Sequence, residues 1–95
     1  MVTWFITGAA RGLGYEMALH ALQAGANVAA TARDINQVES AFASTPELSE
    51  RLLPVALDVT VERQATVAVD SVIASFGSID ILVNNAGRGL LGAVE

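Results

Sequence analysis

The chain has no cysteine and no lysine, only two prolines, and a small aromatic set of one tryptophan, one tyrosine and three phenylalanines. Without cysteine there are no disulfides, no thiolate nucleophile and no cysteine-held zinc. Without lysine there is no Schiff-base chemistry and no ammonium to adjust a neighbouring acid. All five basic residues are arginines (Arg11, Arg33, Arg51, Arg63 and Arg88), set against ten acidic ones for a formal charge of -5. That balance lacks the broad positive field of a nucleic-acid or anionic-membrane binder, so an anionic ligand has to be held by local devices. No stretch approaches the roughly 20 apolar residues of a membrane span. The apolar start Met1 to Ile6 is too short for a signal-peptide core and has no basic flank. A cytoplasmic protein, with no nucleic-acid or membrane partner and no metal site, is the expectation.

What is present points to a packed interior. Hydrophobic residues make up 53% of the 95 positions and charged ones 16%, a composition suited to an α/β core and a single domain over residues 1–95. Val2 to Thr7 is a β-prone run ending at Gly8. Gly12 to Gln23 then has helical spacing, with Leu13, Met17, Ala21, Ala18 and Leu22 on the apolar side. Gly25 stops that helix, and Asn27 to Ala32 reads as a strand buried on both faces. Asp34 is placed to cap a second helix that ends before Pro46, with Gln37 three positions on to complete a capping box. Leu52 to Leu57 is a third strand, and Pro54 puts it at a sheet edge because proline has no amide to donate. Thr60 caps a long helix reaching Phe76, Gly77 closes it, and Ile79 to Val83 is the fourth strand. Alternating strands and helices predict a parallel sheet with right-handed crossovers, in the order 3-2-1-4, with helices in layers on both faces.

Two glycine-containing turns follow the first and fourth strands, where the strand order reverses and ligands of such sheets bind. In Thr7-Gly8-Ala9-Ala10-Arg11-Gly12-Leu13-Gly14, Gly8 permits a tight turn and Gly12 lets the backbone approach a diphosphate. Gly14 lets the helix start pack on the strand. The Gly-Lys-Ser/Thr ending of a Walker loop is missing, and by itself this glycine-rich turn is equally consistent with a purely structural role.

The spacing Thr-Gly-x-x-x-Gly-x-Gly resembles the short-chain dehydrogenase/reductase family, and two further segments extend the resemblance. Leu57-Asp58-Val59-Thr60 looks like the family's adenine-side motif, and Asp80 to Gly87 looks like its Asn-Asn-Ala-Gly signature. The resemblance implies a Rossmann-type NAD(P)-binding domain, present here in part. It implies cofactor contacts at Gly8, Ala10, Arg11, Gly12, Leu13, Gly14, Arg33, Asp58, Val59, Asn85, Ala86 and Gly87. Asp58 would take the adenine amino group, the Val59 backbone would line the ring, and the backbone of Asn85, Ala86 and Gly87 would pass the ribose. A helix-cap carboxylate is the structural alternative for Asp58.

Cofactor choice rests on the end of the second strand, Thr31-Ala32-Arg33. Ala32 stands where NAD-dependent members carry an acid, and Arg33 and Arg11 offer guanidinium groups suited to a 2′-phosphate. NADP is therefore expected ahead of NAD, with Asp34 a rival ribose acceptor if the register moves. His20, one turn after Glu16, reads as a solvated residue on the helix face away from Leu13, Met17 and Ala21. Tyr15 reads as packing, since residue 19 is leucine and no Tyr-x-x-x-Lys pair exists. The family's catalytic serine, tyrosine and lysine follow the Asn-Asn-Ala-Gly signature, so no catalytic residue is assigned here. The implied activity is oxidoreduction between an alcohol and a carbonyl, in a full-length protein that is expected to be a homo-oligomer. A catalytically silent nucleotide-binding or interaction module reusing the fold is the alternative, and a methyltransferase turn is disfavoured by the two arginines.

Overall fold

The computed structural model describes residues 2–85. Strands β1 (Thr3–Ile6), β2 (Asn27–Ala32), β3 (Leu52–Ala56) and β4 (Ile81–Val83) alternate with helices α1 (Gly12–Gln23), α2 (Ile35–Ala41) and α3 (Glu62–Phe76). A two-turn 3₁₀ helix, Pro46–Arg51, precedes β3 and was not foreseen in the sequence. All strands run parallel in one sheet ordered β3-β2-β1-β4, as the alternation of elements predicts.

Side-chain alternation divides the interior into two layers. Ile6, Val28, Ala30 and Ala32 pack with Ala18 and Leu22 of α1 and with Val38 of α2 and Phe42 just beyond it. Phe5, Ala29, Val55 and Leu57 pack on the opposite face with Ala68 and Val72 of α3. Trp4 and Phe5 therefore face opposite layers, as expected of successive strand residues. Tyr15 is a packing residue, its ring 5.0 Å from that of Phe42. Pro54 lies on β3 at the sheet edge, paired in register with Ala30 of β2, the strand's one neighbour.

Element ends differ from the sequence expectation where a side chain intervenes. β4 begins at Ile81 and not Ile79, because Asp80 turns its carboxylate onto the Thr3 amide at 2.8 Å while its own amide donates to the Thr3 carbonyl at 2.9 Å. Thr60 is not the cap of α3. The cap position is Val61, which makes no side-chain bond, and the Thr60 hydroxyl donates to Asp58 instead. Asp34 does cap α2, accepting from the Asn36 amide at 2.9 Å.

Arg51 ties its 3₁₀ helix to the end of α1 and to the segment leading into β2. Its guanidinium donates to the Leu22 carbonyl at 2.6 Å and, through Nε, to the Ala26 carbonyl at 3.3 Å. Leu22 belongs to the last turn of α1, where its carbonyl also accepts from the Gly25 amide at 3.0 Å and the macrodipole favours a cation. Arg51→Met keeps much of the aliphatic stem and removes the donors. It is expected to lower stability by about 1–2 kcal/mol, read as a fall in the denaturant midpoint with unchanged slope; an unchanged midpoint would show the cap to be energetically idle.

Candidate functional site

β1 delivers the chain to a turn in which Gly8 and Gly12 both have φ of 65°, a conformation that L side chains adopt only with strain. The turn is anchored on its outer side by the Ala9 amide, which donates to the Thr31 carbonyl of β2 at 2.9 Å. Helix α1 starts at Gly12 with Arg11 at its cap position, extended and making no side-chain cap bond. The first-turn amides of Gly12, Leu13 and Gly14 thus form the positive end of a 12-residue helix, the arrangement that receives an anion.

Gly14 explains its own identity. A Cβ there would run into the Gly8 carbonyl oxygen and lie 2.7 Å from Asn85 Nδ2. The same Asn85 closes the site from the β4 side. Its amide donates to Thr7 Oγ1 at 2.8 Å, and its side chain donates to the Gly8 carbonyl at 3.2 Å. The Thr7 amide in turn donates to the Val83 carbonyl at 3.0 Å. The turns after β1 and β4 are therefore one hydrogen-bonded unit, and Thr7, absent from the set of candidate contacts, is its hinge point.

A cleft of about 450 Å³ opens beside this unit, lined by Gly8, Ala10, Arg11, Ala32, Arg33, Gln37, Leu57 and Val59. It gathers five of the expected contacts: Gly8, Ala10, Arg11, Arg33 and Val59. Asp34 is not among its lining residues. Leu13 departs from expectation. Its side chain is 66% exposed and lies along a separate apolar groove with Trp4, Glu16, Met17 and His20, leaving only its backbone amide to the anion site. His20 likewise shares that groove with Leu13 and Met17, so it does not sit on the opposite face of α1. Ala86, Gly87 and Arg88 lie outside the described residues.

Asp58 sits at the rim between Leu57 and Val59. One carboxylate oxygen accepts from the Thr60 hydroxyl at 2.6 Å and from the Thr60 amide at 2.9 Å. The Asp58 amide donates to Gln64 at 2.8 Å. Asp58 is accordingly locked into the turn ahead of α3 and does not act as that helix's cap. The Thr60 hydroxyl and then the Thr60 amide lower its pKa below the ordinary aspartate value, with the nearby Arg33 charge acting in the same direction. A lowered carboxylate contributes stability that is present above its unfolded pKa and lost as pH falls through the folded value. Asp58→Asn should therefore be less stable than the parent at pH 7, with the gap closing as pH drops below about 4; a gap independent of pH would refute the assignment.

Among the described residues no helix is long and apolar enough to cross a membrane, and no group of three histidine, cysteine or acidic residues is placed to hold a metal. A family model described as short chain dehydrogenase matches residues 3–95. The chain belongs to the short-chain dehydrogenase family. Its glycine turn, the Asp58 turn and the Asn84-Asn85 turn follow strands β1, β3 and β4 in that order. The family consists of oxidoreductases that bind nicotinamide dinucleotides.

The chain is similar to oxidoreductase BOA17 of Botryotinia fuckeliana, with 47% identity over 92 residues, covering 97% of this chain and 33% of that protein. It is 40% identical over 91 residues to human hydroxysteroid dehydrogenase-like protein 2, covering 88% of this chain and 22% of that one. Among solved structures it resembles L-sorbose reductase from Gluconobacter frateurii, complexed with NADPH and L-sorbose. The match has 37% identity and a TM-score of 0.81, covering 90% of this chain and 33% of that chain. The chain thus spans a third or less of the length of these relatives.

Proposed function

We propose that the chain is the cofactor-binding part of an NADP-dependent oxidoreductase that interconverts an alcohol and a carbonyl. The observation that carries the cofactor choice is the cleft wall at the end of β2. Two guanidinium groups, Arg11 and Arg33, line it, and Ala32 stands where an acidic ribose acceptor would be needed for NAD. Asp34, the nearby rival, has one carboxylate oxygen engaged in capping α2 through the Asn36 amide and is not among the residues that line the cleft.

The residues fit a dinucleotide. The absence of a Cβ at Gly14 keeps the α1 start against the β1 turn, and the first-turn amides present donors to a diphosphate. Asp58, with one oxygen committed to Thr60, has its other oxygen to accept from an adenine amino group, while Val59 and Leu57 form the apolar side of that end of the cleft. Once bound, the nicotinamide would supply or accept the hydride. The residues of this chain hold and orient the cofactor, and none of them is assigned a proton-transfer role.

A small-molecule alcohol or carbonyl is the proposed substrate class of the full-length protein, and the cytoplasm its proposed setting. Homo-oligomerisation is likewise proposed for the full-length protein. Titration of the chain with NADPH and NADH, followed by nicotinamide fluorescence, tests the cofactor assignment. NADPH should bind at least tenfold more tightly, a difference of about 1.4 kcal/mol; equal affinities would refute the NADP assignment.

A further inference from the structure

Beside the cofactor cleft lies a second polar recess of about 450 Å³, lined by Ala10, Arg11, Asn36, Gln37, Ser40 and Ala41. The two cavities share three lining residues, Ala10, Arg11 and Gln37, which places Arg11 and Gln37 at their common border. Arg11 reaches this border from the glycine turn and Gln37 from the first turn of α2. Gln37 is held in place at its backbone, where its amide donates to the Asp34 carbonyl at 2.9 Å, and its side chain is exposed to the recess. Each of the two cations of the cleft has a different companion. Arg33 feels the carboxylate of Asp58, whereas Arg11 stands beside the neutral amide of Gln37.

We infer that Gln37 is a specificity-determining residue for the 2′-phosphate, its neutral amide donating alongside Arg11 and keeping that side of the clamp free of negative charge. The inference rests on the NADP reading above and extends it to α2. A 2′-phosphate carries between one and two negative charges at neutral pH, so the charge of its neighbour decides whether the recess attracts or repels it. An amide at this position donates to a phosphate oxygen and leaves Arg11 unpaired. A carboxylate there would pair with Arg11, repel the phosphate, and offer acceptors to the free ribose hydroxyls of NAD. Gln37 is therefore the point at which one substitution changes the preference without altering either arginine.

The test is a titration of the parent chain, Gln37→Glu and Gln37→Lys with NADPH and NADH. Gln37→Glu is expected to weaken NADPH about tenfold and to leave NADH unchanged or tightened, as expected for a like charge near a partly screened surface site. Gln37→Lys should move the NADPH to NADH ratio the other way by about threefold or more. Because Gln37 is exposed, neither substitution disturbs the core, and the reciprocal pair keeps the result independent of any general loss of folding. If the parent prefers NADPH but both variants keep its ratio, or lose both cofactors equally, the role of Gln37 is overturned while the arginine clamp stands. If the parent shows no preference for NADPH, the NADP reading itself fails and the role of Gln37 falls with it.

Discussion

Gly14→Ala is expected to destabilise the chain by about 3 kcal/mol and to abolish measurable dinucleotide binding. The added methyl would meet the Gly8 carbonyl oxygen and approach Asn85 Nδ2 to 2.7 Å. The first neighbour is backbone in a turn already held at a φ of 65°, so it has no rotamer to escape into. Overpacking against rigid atoms costs about 1–3 kcal/mol and sometimes more. The second neighbour is the amide that joins the β4 turn to the β1 turn at 3.2 Å. Relief by moving Asn85 breaks that bond, and relief by moving α1 withdraws the first-turn amides from the diphosphate. Either route harms the site, so binding and stability should fall together. The thermal midpoint of a domain this size would drop by about 15 °C. Gly12→Ala makes the comparison informative: a Cβ there meets nothing within 4 Å, so its cost is the φ of 65° alone. That cost is about 1 kcal/mol, with a correspondingly smaller midpoint shift. Equal effects at the two positions would mean that the contact at Gly14 is not what requires glycine.

The second large effect concerns the arginines. Removing both with Arg11→Ala and Arg33→Ala is expected to weaken NADPH by about 100-fold or more while changing NADH by less than about threefold. A hydrogen bond to a charged group contributes about 1.5–3 kcal/mol, so two lost together give at least that ratio. Both side chains are exposed at the cleft wall, and neither makes a hydrogen bond inside the described residues that folding would miss. Stability should consequently change little, and urea unfolding of the double variant serves as the control. Parallel weakening of both cofactors would assign the arginines to the diphosphate or to the fold and remove the basis for NADP selectivity.

The parts of this molecule that follow local rules were legible in the sequence. The bounds of β2 and α1 match the expected Asn27–Ala32 and Gly12–Gln23 because Gly12 opens the helix, Gly25 separates it from the strand, and Asp34 starts the next helix. The edge position of β3 followed from the missing amide of Pro54, and the α2 cap from Asp34. Long-range ties were not legible. Arg51 reaches Leu22 across 29 positions, Asp80 reaches Thr3 across 77, and Asn85 reaches Gly8 across 77. No periodicity encodes which distant carbonyl an arginine or asparagine finds.

Helix α1 shows the same boundary between local and tertiary information. Apolar spacing placed Leu13 in the core, but only α1 residues facing β1 and β2, such as Ala18 and Leu22, are buried there. Leu13, Met17 and His20 together form a mixed stripe bordering Trp4, which the wheel alone sorted into core and solvent. At the site, the expected contacts emerged as residue types, whereas the joining role of Thr7 required the sheet to bring β1 and β4 side by side.

That joining of the two turns sets an order of events during synthesis. The glycine turn is complete by residue 14, yet its carbonyl at Gly8 and hydroxyl at Thr7 wait for Asn85, 77 and 78 positions later. At translation rates of roughly 5–20 residues per second, the interval is roughly 4–15 s. Through that time β1 pairs on one side only, with β2, and the anion site lacks its second wall. The early βαβ unit therefore lacks the wall that Asn85 contributes to its anion site until the Asn84-Asn85 turn has been made.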